Sequence, residues 1–267
     1  MNAPIKHFLG PKGVLLRNGL EFRREQLDMA ESVDDAISGA RPLLIEAGTG
    51  VGKSLAYLLP AALAAHRDKV HILVSTHTKA LQEQLVRKDL PFLSGALLKE
   101  NISISFALFM GSENYLCMRR FHQALRDGDA LFAVPGHMET IARLKSFVDD
   151  HPARASQSGL RMDLPDVPDE VWRNVHRESD NCMASHSPFY KDCYHHAAQG
   201  RMKDADILVV NHALFFANLA AGGRVLPAYD AVILDEAHSI EEVAATHLGI
   251  SITNFALKWQ FDQIHHP

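Results

Sequence analysis

The sequence predicts an α/β fold in which a parallel sheet is covered by helices, and three observations carry that expectation. From Leu43 onward, short apolar runs alternate with helix-periodic stretches, the rhythm of strand–helix–strand units. A glycine-rich turn, Ala47-Gly48-Thr49-Gly50-Val51-Gly52-Lys53-Ser54, separates one such run from a helical pattern. Two late apolar runs end in polar pairs, Asn211-His212 and Asp235-Glu236, which sets side chains at the carboxyl edge of a sheet, where open α/β folds bind ligands.

Taken in order, Leu43-Leu44-Ile45 reads as the first strand, and residues 55–65 continue from the glycine-rich turn as an apolar-periodic helix. Val70-His71-Ile72-Leu73-Val74 is a second strand, and a helix over residues 78–87 follows with Leu81 and Leu85 on one face. Residues 102–109 supply a third strand whose alternating Ser103 and Ser105 suit a less buried place. Ile207-Leu208-Val209-Val210 and Val232-Ile233-Leu234 complete the set. Residues 111–204 lack this rhythm, contain all three cysteines, and include a polar, Pro-containing stretch over 151–168 that reads as loop. They form an insertion between the two parts of the sheet domain, 1–110 and 205–238.

The chain has 267 residues, 47% of them apolar, and a net charge of −5. That is enough for a large core, while a nucleic-acid partner would be held by local basic patches rather than by overall charge. No signal-peptide pattern and no membrane-length apolar run is present, so a cytoplasmic protein without a membrane partner is expected. Three cysteines, an odd number without a secretion signal, suit free thiols or metal ligands better than a disulfide framework.

The turn from Ala47 to Ser54 has the character of a phosphate-binding loop. A strand that turns through glycines into a helix directs several backbone N–H groups, and the positive end of the helix dipole, into one concavity. Ala47, Gly48, Thr49, Gly50, Val51 and Gly52 supply the cradle, Lys53 a charge for the β and γ phosphates, and Ser54 a hydroxyl for Mg²⁺. The usual first glycine of the pattern is Ala47 here. Asp235, closing a buried strand, suits Mg²⁺ held through water, and Glu236 suits the water that attacks the γ phosphate. Alone, two acids would be an ordinary helix N-terminus; together with the loop they point to hydrolysis, with Lys53, Asp235, Glu236 and His238 as the expected catalytic set. Upstream, Gln26 is placed to read the adenine edge with Arg23 in support, although a solvated helix beginning Arg-Arg-Glu-Gln would look the same.

These segments, with Ser75-Thr76-His77-Thr78-Lys79-Ala80-Leu81-Gln82-Glu83-Gln84-Leu85 and Val210-Asn211-His212-Ala213-Leu214, occur in the order found in superfamily 2 DNA helicases of the DinG/XPD-like group, which the chain resembles over nearly its whole length. The resemblance implies a RecA-like P-loop domain that hydrolyses Mg·ATP to move 5′-to-3′ on single-stranded DNA, working at the bacterial nucleoid. It also implies that Thr76, Thr78 and Gln82 contact the phosphates of the strand, a use that suits hydroxyls and amides. An ordinary strand-to-helix cap at Thr78 is compatible with that role.

The resemblance further implies a 4Fe-4S cluster in the insertion, with Cys117, Cys182 and Cys193 matching the first, second and fourth ligands. The third position is Ser187, a hard and poorly acidic donor for iron. Weak ligation by Ser187, replacement by His186, a cluster with one iron fewer, zinc with a histidine from His186, His195 or His196, and three thiols without metal all stay open. Residues 239–267 resemble the start of a further helical insertion, and a second motor domain, supplied in cis or in trans, is expected to complete the enzyme. The alternative is a nucleotide- and DNA-binding module without turnover.

Overall fold

In a computed structural model, residues 3–131, 134, 136–154, 159–164 and 166–249 are described. The sheet has four parallel strands in the order β2-β3-β1-β4: β1 Ile72–Thr76, β2 Phe106–Leu108, β3 Ile207–Asn211 and β4 Ala231–Leu234. β1 lies at the centre, with Ser75 opposite Val210 on one side and Leu234 on the other. Parallel strands need crossovers, and the helices that make them cover both faces.

The alternation of side chains along a strand sorts the core into two layers. Ile72, Val74, Ile207 and Val209 pack against α1 Ala3–Leu9, α2 Val14–Arg17, α3 Arg24–Ser38, α4 Lys53–Asp68 and α6 Leu90–Leu98. Leu73, Leu208 and Val210 face the other way. They meet α7 Met118–Leu131, α8 His137–Asp150, α9 Asp169–Val175, α10 Tyr194–Asp204, α11 His212–Ala220 and α12 Ile240–Leu248. The inserted residues therefore share a core with one face of the sheet, through Tyr115, Phe121, Trp172 and Tyr194.

Three differences from the expected elements have physical causes. Residues 43–45 form no strand: Leu43 and Leu44 are 47% and 88% exposed, and β4 is an edge strand with β1 as its sole ladder partner among the described residues. An apolar run states a preference for burial, but a strand also needs a ladder partner. The helix expected over 78–87 divides into α5 Lys79–Gln84 and a π-turn, Leu85–Asp89, that leads into α6. Pro91 has no N–H to give the Arg87 carbonyl, and the helix widens there. The third strand shortens to β2 at the sheet edge, in keeping with its serines. Of the expected loop, residues 155–158 and 165 lie outside the described residues, as do residues 250–267 of the terminal segment. No helix among the described residues is long and apolar enough to cross a membrane.

Candidate active site

Gly50 and Gly52 have φ of +84° and +85°, so the turn requires residues that enter the left-handed region without a Cβ penalty. At Gly52 space is also limiting, because a Cβ would stand 2.2 Å from the Gln26 side-chain nitrogen. α4 starts directly after this turn with no side-chain cap, leaving N-terminal backbone donors for an anion. The carbonyls are held from behind: Gln26 donates to Gly52 across 2.9 Å, and Arg23 donates to Gly50. Gln26 and Arg23 thus brace the loop backbone, and Gln26 is buried.

The acidic box lies across from this loop. Lys53 Nζ is 3.9 Å from Glu236 Oε1, and His238 Nδ1 is 3.4 Å from Glu236 Oε2. Glu236 follows the end of β4 with φ +56°, a costly conformation for a residue with a Cβ. Hydrogen bonds surround it. The Asp235 N–H donates to the Ser75 carbonyl at 2.9 Å, the Glu236 N–H to Asp235 Oδ1 at 3.0 Å, and the Ser239 hydroxyl to the Glu236 carbonyl at 2.9 Å.

Tyr57 joins the two halves of the site. It is one turn beyond Ser54 on α4, and its hydroxyl donates to Asp235 Oδ2 at 3.0 Å. Burial first, and then the Asp235 carboxylate, push this phenol well above its ordinary pKa, against a pull from the Ser54 hydroxyl. Asp235 thus accepts from a phenol one turn along α4 from Ser54, and a hydroxyl with a carboxylate is a hard-oxygen pair that fits Mg²⁺. Tyr57 was not among the expected residues, although the i, i+3 spacing from Ser54 was visible.

His212 was quoted only as part of a motif. It is fully buried at the carboxyl end of β3. Its Nδ1 lies 2.7 Å from the Ser75 hydroxyl, and its Nε2 lies 2.8 Å from the Asp235 carbonyl oxygen. Burial pushes this imidazole below its usual pKa.

Of the residues expected to meet a nucleic-acid strand, Thr76 and Gln82 are fully buried. The Thr76 hydroxyl donates to the Thr78 carbonyl at 3.2 Å, and the Gln82 amide faces the interior without a hydrogen-bond partner among the described residues. Thr78 is exposed with His77, Lys79 and Ala80, and its hydroxyl caps α5 by accepting from the Leu81 N–H. The continuous exposed stretch of this motif is the corner over residues 77–80, and Gln84 is exposed further along.

The described residues do not show the expected cluster. Cys117, Cys182 and Cys193 are free, partly exposed thiols. No group of three His, Cys, Asp or Glu side chains able to hold a metal is present among the described residues. At the third position, the Ser187 hydroxyl accepts the Phe189 N–H at 3.2 Å, and His195 packs against Phe109 and Tyr115 rather than facing the thiols. A hydroxyl engaged in its own turn is a poor substitute for a thiolate, and no step below depends on a cluster.

Comparisons agree with this geometry. The DEAD/DEAH box helicase family model matches residues 28–153. The chain is 36% identical to the ATP-dependent DNA helicase YoaA of Escherichia coli over 88% of its own length and 36% of that relative. It is 35% identical to the ATP-dependent helicase DinG of Mycobacterium tuberculosis, over 88% of this chain and 37% of the relative. A Bacillus subtilis relative named 3′-5′ exonuclease DinG is 30% identical, over 93% of this chain and 26% of the relative. The chain thus spans about a quarter to two fifths of the curated relatives it matches. With its phosphate loop facing an Asp-Glu-Ala-His box, the chain belongs to the DinG-like group of the DEAD/DEAH box helicases and corresponds to their N-terminal portion.

Proposed function

We propose that this chain is the ATP-binding portion of an ATP-dependent DNA helicase that hydrolyses Mg·ATP to translocate 5′-to-3′ on single-stranded DNA, with a second motor domain completing the enzyme. The observation that carries this reading is the 3.9 Å approach of Lys53 to Glu236. A phosphate-binding cation and a carboxylate base from opposite walls pair directly at this distance, so a γ phosphate and its attacking water would part them on binding.

In this reading the loop N–H groups and Lys53 bind the β and γ phosphates. Ser54 and Asp235 would hold Mg²⁺, which when bound would supply charge neutralisation at the phosphate oxygens. Tyr57 fixes the rotamer of Asp235. Glu236 orients the attacking water and accepts its proton. Gln26 and Arg23 hold the loop in shape from behind. Single-stranded DNA meets the 77–80 corner, where Thr78 and Lys79 offer a hydroxyl and a charge to backbone phosphates.

The test is ATP turnover by the 267-residue chain with and without a single-stranded oligonucleotide, repeated after adding a second motor domain. DNA-stimulated turnover in the completed enzyme supports the reading. A chain that binds both ligands and stays inactive when completed is a binding module instead. Polarity is read from streptavidin displacement: faster clearance of a 3′-biotin block than of a 5′-biotin block supports 5′-to-3′ movement.

A further inference from the structure

Three strand ends meet at one buried ring. His212 follows β3, and from there its imidazole passes the end of the neighbouring β1 and reaches the residue that follows β4. The protonation of that ring follows from its partners. The Asp235 carbonyl only accepts, so Nε2 carries a proton; the neutral ring then leaves Nδ1 bare to accept from the Ser75 hydroxyl. The resulting chain, Ser75 Oγ–H to His212 Nδ1 and His212 Nε2–H to Asp235 O, has a fixed direction and lies in the interior, where Ser75 and His212 are both fully buried.

Each end of this chain touches something consequential. Ser75 precedes Thr76 and the exposed 77–80 corner, and the His77 ring lies 6.2 Å from the His212 ring, centroid to centroid. At the other end, the hydrogen bond to the Asp235 carbonyl fixes the peptide plane between Asp235 and the left-handed Glu236. A rotation of that plane would redirect the Glu236 side chain and alter the setting of Asp235.

We propose that His212 is a positioning residue that couples strand contact at the 77–80 corner to the Asp235–Glu236 peptide, so that nucleotide and single-stranded DNA alter each other's binding through it. The inference rests on the function proposed above and deepens it. Coupling of this kind is reciprocal and is read without turnover.

The experiment measures the affinity of the whole chain for a fluorescent ATP analogue with Mg²⁺, alone and with a saturating oligothymidylate. In the unaltered chain DNA is expected to change nucleotide affinity by about fivefold or more. In Ser75→Ala and His212→Ala that factor is expected to fall to about one, and in Ser75→Ala, which leaves the His212 bond to the Asp235 carbonyl in place, each ligand is expected to bind alone as before. Loss of ligand binding alone is what a merely structural role would give. Ser75→Ala removes a single hydroxyl and carries the test if His212→Ala does not fold. Full coupling in Ser75→Ala, or independent binding of both ligands by the unaltered chain, overturns the relay alone. Failure of the unaltered chain to bind the oligonucleotide overturns the functional reading as well.

Discussion

The Tyr57 hydroxyl donates to Oδ2 of Asp235 across 3.0 Å, linking the helix that starts at the phosphate loop to the strand that ends in the acidic box. Outer hydrogen-bond partners orient metal-ligating carboxylates, and losing one commonly costs tenfold or more in metal affinity. Tyr57→Phe is therefore expected to raise the Mg²⁺ concentration needed for nucleotide binding by about tenfold, while metal-free nucleotide binding holds. A Mg²⁺ titration of a fluorescent nucleotide complex measures this. An unchanged midpoint would reduce Tyr57 to a packing residue.

Lys53 and Glu236 are close in space but differ in expected role. Lys53→Ala should weaken nucleotide binding. Glu236→Gln keeps the shape and loses the base, so in the completed enzyme it should bind ATP and fail to hydrolyse it. Binding isotherms beside single-turnover hydrolysis separate the two, and equal loss of binding in both variants would remove Glu236 from the role of base.

Glu236 also pays for its conformation, at φ +56°. Glycine enters that region freely, whereas alanine carries the same Cβ penalty as glutamate. Glu236→Gly is accordingly expected to be more stable than Glu236→Ala by roughly 1 kcal/mol in urea unfolding, even though both abolish hydrolysis. Equal midpoints would mean that the turn relaxes without the side chain and stores no strain.

The local parts of this site were readable in the sequence and the long-range parts were not. Gly50, Gly52 and Lys53 declare themselves because one short turn dictates both their φ angles and their chemistry. Asp235 and Glu236 do so because they close an apolar run. Tyr57 and His212 acquire meaning only when strands far apart in sequence become neighbours, a fact carried by sheet order. Thr76 and Gln82 illustrate the opposite case, since the resemblance implied contact with strand phosphates and both side chains face inward. Residues 43–45 show that apolar content alone does not create a ladder partner.

Gln82 supplies a direct test of that inward placement. Its buried amide has neither donor nor acceptor satisfied among the described residues, which costs on the order of 1–3 kcal/mol. Methionine has nearly the same shape and nothing to satisfy. Gln82→Met should raise stability by about 1–2 kcal/mol and leave oligonucleotide affinity unchanged. A fall in that affinity would show that the side chain turns outward to meet the strand.

The free side of β4 has a different consequence. Leu44 is 88% exposed and Leu43 47%, and on β4 itself Val232 is 38% exposed. β1 is the sole ladder partner of β4 among the described residues, so the far edge of β4, which carries Val232, has no ladder partner there. Such an edge is a template for pairing with another chain, and natural edges are commonly blunted by lysine. The isolated chain should therefore self-associate with rising concentration, and Val232→Lys should shift sedimentation velocity profiles toward monomer without changing nucleotide affinity. The lysine acts by adding charge to the edge, so its benefit should shrink at high ionic strength, where like charges are screened. Monomeric behaviour of the unaltered chain at every concentration would show that this edge is covered.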